Sequence, residues 1–242
     1  MNDIEASRPQ AVWLLAGQSN MIGFGPKGSE LSPEWWTSRP NVSTYTVDAW
    51  APLLPTEGSF GPEIGFGHAM AGAHPGTDFL LIKPLFGLGN LYEDWRSPNA
   101  GRGAEGPHYR ALMDLVKQAL ADRPLARIVG MLWMQGEGDA HNDLIKALAY
   151  ERNLTLFIQS VRDDLGVPDM AFLFGQITTS PTWIHHAIVR EAQEKVAASV
   201  ARTAMFDTDD LPLWDGIHYN TAGSLELGLR FFHAAMGLEL RG

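Results

Sequence analysis

The chain contains no cysteine, and this absence excludes several kinds of protein. Without thiols there is no disulfide framework, no thiolate nucleophile and no metal site built on cysteine. The compartment stays open on this ground, because secreted bacterial proteins can also lack cysteine. Long apolar runs are missing as well. Nowhere do about 18 apolar residues follow one another, so the sequence predicts no membrane-spanning helix.

Positive charge is also scarce. The chain has 18 Lys and Arg residues against 28 Asp and Glu residues, and its formal net charge is −10. Such a surface repels polyanions, so neither nucleic acid nor an anionic membrane is expected as the main partner. Small, uncharged substrates are the natural expectation. The composition leaves the oligomeric state open.

The start of the chain lacks the pattern of a signal peptide. Residues 1–9 include acidic side chains where a leader would be basic, and no apolar stretch of that type precedes the first predicted strand. The sequence therefore predicts a cytoplasmic protein. A secreted protein whose leader had been removed would have the same sequence.

The organisation of the chain indicates one α/β domain spanning residues 1–242. With 45% hydrophobic residues the chain can bury a full core, and α/β domains of this length are often undivided. Short apolar runs alternate with segments of helical period, which predicts a parallel sheet covered on both faces. The predicted strands are 11–16, 42–47, 78–86, 127–134, 170–176 and 203–207. The predicted helices are 20–23, 62–73, 108–122, 143–165, 182–201 and 221–236.

Candidate functional residues follow the predicted strands. These are Ser19 after the first strand, Gly61 after the second, Gln135 after the fourth, and Asp215 with His218 after the last. Because ligands of open parallel sheets bind beyond the carboxyl ends of the strands, we expect these residues to meet at one edge. A long glycine-rich stretch, 87–107, follows the third strand, and loops of this length are usually functional or mobile.

Ser19, His218 and Asp215 are the residue types of a nucleophilic site. A serine hydroxyl does not ionise near pH 7, so an imidazole must take its proton and a carboxylate must orient the imidazole. Asp215 lies three residues before His218, a spacing that lets it reach Nδ1 and leave Nε2 for Ser19. The alternative is structural: Ser19 caps the helix that follows it, and Asp215 belongs to an ordinary turn.

Further polar groups are candidates for the same site. The amide of the Gln135 side chain could stabilise an oxyanion, and the backbone amide of Gly61 is a second such donor. Gly61 could equally be only a helix cap before Pro62. Glu137 competes with Asp215 as the acid that orients His218, or it serves only to shape its loop.

Four segments, taken together, resemble the blocks of the SGNH-hydrolase superfamily. They are residues 17–21 (Gly-Gln-Ser-Asn-Met), 61–63 (Gly-Pro-Glu), 133–137 (Trp-Met-Gln-Gly-Glu) and 215–220 (Asp-Gly-Ile-His-Tyr-Asn). Within the superfamily the chain is similar to the branch that contains the carbohydrate esterase family 6 acetylxylan esterases and the sialate O-acetylesterase domain. The resemblance implies a flavodoxin-like three-layer α/β/α fold and an esterase that uses neither a metal nor a cofactor.

The resemblance also implies roles for individual residues. Ser19 would be the nucleophile, His218 the general base and then acid, and Asp215 its partner. The oxyanion donors would be the amides of Ser19 and Gly61 with the side chain of Gln135. Some members of the branch give an acid role to the residue that matches Glu137.

One departure from the family pattern concerns the substrate. Relatives tend to carry a Gly-Gly-Thr/Ser-like turn before a Trp, whereas residues 86–95 here read Phe-Gly-Leu-Gly-Asn-Leu-Tyr-Glu-Asp-Trp. Asn90, Trp95 and Trp214 are candidate substrate contacts, since aromatic rings can stack on a sugar ring. Aromatic residues such as these are also common as core or loop anchors.

These observations predict a serine esterase that removes O-acetyl or other short acyl groups from a carbohydrate or related polyol through an acyl-enzyme. Its partner would be a small-molecule or oligosaccharide ester. One alternative is a lipid or thioester hydrolase on the same fold. Another is a catalytically silent carbohydrate-binding homologue that keeps the motif residues for structure.

Overall fold

The computed structural model describes residues 8–239, so the start of the chain, on which the expected localisation rests, lies outside the described residues. The strands are β1 (Gln10–Gly17), β2 (Val42–Tyr45), β3 (Trp50–Pro52), β4 (Asp78–Ile82), β5 (Arg127–Met134), β6 (Ala171–Gly175) and β7 (Thr203–Phe206). The helices are α1 (Ser19–Ile22), α2 (Glu63–Ala73), α3 (Pro107–Leu120), α4 (Glu137–Ala140), α5 (Leu144–Leu165), α6 (His186–Ser199) and α7 (Thr221–Glu239).

The strands form one seven-stranded sheet in the order β3-β2-β4-β1-β5-β6-β7. All neighbours are parallel except β2 and β3, which are antiparallel. β1 lies between β4 and β5, and its last six residues are buried. This burial accounts for the continuous apolar run of β1, because a central parallel strand contacts helices on both faces.

Helices cover both faces of the sheet. On one face Phe66 of α2 packs edge-on against Trp13 of β1, with ring centres 5.1 Å apart, and α7 lies beside α2. On the other face Phe157 of α5 packs against Trp133 of β5 at 4.6 Å, and α6 lies beside α5. Trp133 pairs with Ala16, three residues along β1 from Trp13, so the two tryptophans point to opposite faces. The predicted three-layer α/β/α fold is confirmed.

Proline explains two differences from the predicted strands. The strand predicted to run to residue 86 ends at Ile82, because Pro84 has no N–H to continue the ladder. β3 was not predicted, since it has only three residues and ends in Pro52. Its position at the edge of the sheet is where a strand proline is tolerated.

Local sequence also sets several helix ends. Asp143 caps α5 by accepting hydrogen bonds from the amides of Ile145 (2.9 Å) and Lys146 (3.3 Å), and Gly166 ends it with a φ of 67°. The helix predicted from residue 182 begins only at His186, after a turn in which the amide of Trp183 donates to the carbonyl of Ser180.

Among residues 8–239, no helix is both long and apolar enough to cross a membrane.

Candidate active site

Ser19 lies in a sharp turn between the central strand β1 and the short helix α1. The turn requires glycine at position 17, because a Cβ there would lie 2.0 Å from the carbonyl oxygen of Met134 on β5. The amide of Gln18 donates to that same oxygen at 3.0 Å, which ties the turn to the neighbouring strand. Ser19 is therefore held at the carboxyl edge of the sheet, with 8% of its surface exposed.

His218 reaches Ser19 from the loop between β7 and α7, although 199 residues separate them in sequence. The Nε2 atom of His218 lies 3.1 Å from the Ser19 hydroxyl oxygen, and its Nδ1 atom lies 2.6 Å from Oδ2 of Asp215. The other oxygen of Asp215 accepts the amides of His218 (2.7 Å) and Ile217 (3.0 Å). One carboxylate thus orients the imidazole and also shapes the loop that carries it.

These contacts keep the Asp215 carboxylate ionised. Partial burial works to raise its pKa, but the hydrogen bonds from the His218 ring and from the amides of His218 and Ile217 outweigh burial. The pKa of Asp215 therefore lies below its ordinary value. An ionised Asp215 accepts the Nδ1 proton, and the lone pair of Nε2 then faces the Ser19 hydroxyl.

Among residues 8–239, no hydrogen bond joins Glu137 to His218. Glu137 begins α4, it is 1% exposed, and its Oε1 accepts the side-chain amide of Asn20 at 3.1 Å. Burial is the main reason that its pKa is raised. Of the two candidate acids, Asp215 contacts the imidazole of His218, whereas Glu137 contacts the side chain of Asn20.

Asn20 is a residue whose part in the site the sequence did not reveal. Besides the contact with Glu137, its Nδ2 donates to the carbonyl of Ile217 at 3.2 Å, and its Oδ1 accepts the amide of Tyr219 at 3.2 Å. The side chain next to Ser19 therefore holds both flanks of His218. A Ser-Asn pair in a predicted turn gives no indication of such a partner almost 200 residues away.

The structure does not present Gln135 as an oxyanion donor. Its side chain is fully buried, and its Nε2 donates to Oδ2 of Asp139 (2.7 Å) and to the carbonyl of Gly89 (3.3 Å). Its Oε1 accepts the hydroxyl of Tyr150 at 3.2 Å. Both amide hydrogens have protein acceptors, so in this structure Gln135 is a structural link between β5, α4 and the loop at 87–107.

Gly61 is likewise engaged elsewhere. Its amide donates to Oε1 of Glu63 at 2.9 Å, while Oε2 of Glu63 lies 2.5 Å from Nζ of the buried Lys83. Lys83 also donates to the carbonyl of Ile22, at the end of α1, at 3.2 Å. This buried ion pair ties the turn at Gly61 to the nucleophile turn.

The amide of Ser19 is the remaining predicted oxyanion donor. It begins α1, where first-turn N–H groups have no acceptor within the helix. It donates to no acceptor among the residues that the structure describes. Of the three predicted donors, this one is free to face a tetrahedral intermediate at the Ser19 hydroxyl.

Two of the three predicted substrate contacts, Trp95 and Asn90, make contacts within the protein. Trp95 is fully buried, and its ring packs edge-on against Trp133 at 5.1 Å, so it belongs to the core. Asn90 uses its side-chain amide on Asp94 (2.9 Å) and Glu93 (3.3 Å) within its own loop. Trp95 is therefore closed to a substrate, whereas Asn90 is partly exposed with its amide bonded within the loop.

Trp214 differs from these two, because it is 55% exposed and precedes Asp215. Its neighbour Phe24, which the sequence did not suggest, is 54% exposed. The ring centre of Phe24 lies 4.8 Å from that of His218 and 6.5 Å from that of Trp214. We call Phe24 and Trp214 the aromatic pair.

Asp139 anchors the long loop at 87–107 to α4. Its carboxylate accepts the amides of Leu91 (2.7 Å) and Tyr92 (3.2 Å) as well as the side chain of Gln135. Burial raises its pKa to about 7, against the effect of these three donors. The acid at the end of the Gln-Gly-Glu-Gly-Asp segment therefore holds the loop.

We expect Asp139→Asn to change how stability depends on pH. A carboxyl whose pKa is raised on folding binds its proton more tightly when folded, so its contribution to stability is full below about pH 4 and is lost as the pH rises through about 7. Asparagine cannot titrate, and its N–H group faces the amides of Leu91 or Tyr92. The melting temperature of the variant should lie below that of the wild type at pH 5, and the gap should narrow by pH 8.

Thermal denaturation at several pH values measures this gap, with Asp122→Asn, an exposed aspartate, as the matched control. A shift of about three pKa units corresponds to at most ~4 kcal/mol across the window. A gap that stays constant or widens as the pH rises would mean that the folded protein favours the ionised form of Asp139.

Metal-binding residues are not clustered here. Within residues 8–239 there is no group of three or more His, Asp or Glu side chains arranged to hold a metal ion. The polar groups at the sheet edge form the series of hydrogen bonds from Ser19 through His218 to Asp215 and the contacts that hold these residues.

The fold is that of the SGNH-like α/β/α hydrolases. Comparison with known proteins gives the family: residues 9–237 match the family described as "Carbohydrate esterase, sialic acid-specific acetylesterase". The chain belongs to this family. It is therefore an enzyme of the carboxylic ester hydrolase class.

Individual relatives agree with this assignment. A protein of Arabidopsis thaliana named as a probable carbohydrate esterase is 27% identical, over 93% of this chain and 90% of its own length. Its solved structure superposes with a TM-score of 0.79 at 21% identity, covering 96% of this chain and 99% of that one. A carbohydrate acetylesterase from Xanthomonas citri gives a TM-score of 0.72 at 21% identity, covering 96% of this chain and 57% of that one. At these identities the two superpositions show a shared fold.

Proposed function

We propose that this protein is a serine esterase that removes acetyl or similarly short acyl groups from an oxygen of a carbohydrate or related polyol. The observation that carries the proposal is the hydrogen-bonded chain from Ser19 through His218 to Asp215 at the end of the central strand. The family adds the substrate class, because its description names carbohydrate esterase and acetylesterase. The sialic acid of that description is one candidate sugar among others.

The first half of the reaction forms an acyl-enzyme. The Ser19 oxygen attacks the ester carbonyl carbon while Nε2 of His218 takes the hydroxyl proton. Asp215 keeps the Nδ1 proton in place and stabilises the imidazolium. The amide of Ser19 donates to the oxyanion of the tetrahedral intermediate. When the intermediate collapses, the bond to the leaving oxygen breaks and Nε2 returns its proton to that oxygen, which releases the alcohol.

The second half returns the enzyme to its first state. A water molecule gives a proton to Nε2 of His218, and its oxygen attacks the acyl carbon on Ser19. The second tetrahedral intermediate expels the Ser19 oxygen, which takes the proton back from Nε2. The net reaction converts one ester and one water into one alcohol and one carboxylic acid, with no redox change.

Two measurements test the proposal. A fluorophosphonate probe should label the wild-type protein at Ser19, because the probe reacts with an activated serine. The second measurement is a screen of acetylated xylan, acetylated monosaccharides, O-acetyl sialic acid and esters of increasing acyl length. The enzyme should hydrolyse at least one of the acetylated sugars, and its activity on the ester series should fall from acetyl to hexanoyl. Preference for the longer acyl esters would favour a lipid or thioester hydrolase. No labelling together with sugar binding would favour a catalytically silent binding protein.

A further inference from the structure

We infer that the aromatic pair, Phe24 and Trp214, forms a subsite for the leaving group, and that a pyranose ring of the alcohol part of the ester stacks there. This inference rests on the proposed function. It adds which side of the ester the protein recognises, and through which side chains.

The aromatic pair stands out by its exposure. Of all the phenylalanine and tryptophan side chains, which lie entirely within the described residues, only Phe24 (54%), Trp36 (37%) and Trp214 (55%) rank as exposed. The other tryptophans and phenylalanines are buried or partly buried. Two of the three exposed rings therefore lie together beside His218.

The two aromatic residues are exposed, but their backbones are anchored at the site. A Cβ at Gly25 would lie 2.3 Å from Nε1 of Trp214, so the indole edge rests on the backbone at Gly25, where only glycine fits. The amide of Trp214 donates to the carbonyl of His218 at 2.9 Å, and the amide of Phe24 donates to the carbonyl of Ser19 at 2.9 Å. Because the backbone is anchored in this way, little of its conformational entropy is lost when a ligand binds to the aromatic pair.

The position beside His218 decides which part of the substrate lies there. In the proposed reaction, Nε2 of His218 must give its proton to the leaving oxygen, so the alcohol has to sit next to the imidazole. Phe24 contacts that imidazole directly, with ring centres 4.8 Å apart in an edge-on arrangement. The group that reaches the aromatic pair is therefore the alcohol part of the ester rather than the acyl part.

The chemistry of the surface favours a sugar ring. Trp214 and Phe24 are inclined to each other by 50°, and about half of each side chain is exposed to solvent. A pyranose has a face of C–H groups that packs on an aromatic ring while its hydroxyls stay in water. The family to which the chain belongs acts on carbohydrate esters, so a ring of this kind is the occupant that we commit to.

The test compares two acetate esters that differ only in the alcohol: a mono-O-acetylated pyranoside and ethyl acetate. For Trp214→Ala and for Phe24→Ala, the ratio of kcat/KM on the pyranoside to kcat/KM on ethyl acetate should fall about tenfold. Trp214→Phe should restore part of the ratio. Trp36→Ala, the matched exposed tryptophan without a ring contact to His218, should leave the ratio and both rates at wild-type values.

Other outcomes would overturn the subsite. Equal losses of kcat/KM on both esters would mean that the aromatic pair only supports the catalytic loop. Unchanged kcat/KM on both esters would mean that the aromatic pair takes no part in the site. A selective loss on octyl acetate, with the pyranoside ratio unchanged, would mean that an aliphatic alcohol occupies the surface.

Binding to an inactive variant separates this inference from the proposed function. Calorimetric titration of Ser19→Ala with the acetylated pyranoside should show binding that weakens about tenfold in Ser19→Ala/Trp214→Ala. If the wild type hydrolyses no ester yet this difference is found, the esterase mechanism fails and the sugar subsite stands. If the two variants bind alike, the subsite fails whatever the enzyme hydrolyses.

Discussion

Ser19→Ala is expected to lower kcat/KM on acetyl esters by at least about 10⁴-fold. Without the hydroxyl no acyl-enzyme can form, and what remains is attack by water in a site that still binds the ester, as in other enzymes whose triad serine has been removed. The fold should not change, because the turn is held by Gly17 and Gln18 rather than by the serine side chain. Initial-rate kinetics with p-nitrophenyl acetate and an acetylated sugar measure the loss.

A matched control is Ser199→Ala, since that serine is exposed on α6 and its hydroxyl donates only to the carbonyl of Lys195. This variant should have wild-type rates. The fluorophosphonate adduct should be absent from Ser19→Ala and present in Ser199→Ala. Retention of more than a tenth of the wild-type activity by Ser19→Ala would contradict a nucleophilic role for Ser19.

The second large effect is expected for Asp215→Asn, with a fall in kcat of about 10³- to 10⁴-fold. An asparagine amide beside Nδ1 of His218 would donate to it, so the ring proton would move to Nε2 and face the Ser19 hydroxyl. The imidazole then has no lone pair with which to take the serine proton. The hydroxyl should also lose its reactivity toward the fluorophosphonate probe.

Glu137→Gln provides the comparison that decides between the two acids. Burial already raises the pKa of Glu137, so a neutral side chain of the same shape suits its site, and a glutamine oxygen can still accept the Asn20 amide. We expect less than about a tenfold loss in kcat. Asp122→Asn, at an exposed aspartate, controls for the removal of a charge. Large losses of similar size for both acids would mean that Glu137 also acts on His218.

Much of the fold could be predicted because its information is local. The long strands coincide with apolar runs in the sequence. Helix α5 has apolar residues three and four positions apart and recognisable ends at Asp143 and Gly166. The elements missed were those with little local pattern. β3 has three residues and α4 has four, and both are held by their neighbours rather than by their own sequence.

The candidate site divides in the same way. Ser19, Asp215 and His218 could be found because they follow strand ends, and parallel strands bring such ends to one edge. The predicted oxyanion donors Gly61 and Gln135 do lie at this edge, but their N–H groups donate to Glu63 and Asp139. These acceptors lie only two and four residues further along the chain, but whether each donor turns toward its acceptor or toward the site depends on how the turn that carries it folds. The role of Gly61 and Gln135 toward a substrate stays a prediction.

The sequence by itself determined the class of fold, the family blocks and the three candidate residues Ser19, Asp215 and His218. Only the tertiary structure decided which acid touches the imidazole, that Asn20 joins the two ends of the chain, and that Trp95 is core while Phe24 is at the surface. The physical reason is that secondary structure follows from neighbouring residues. The environment of a side chain is set instead by elements up to 199 residues away, and it appears only once they are packed.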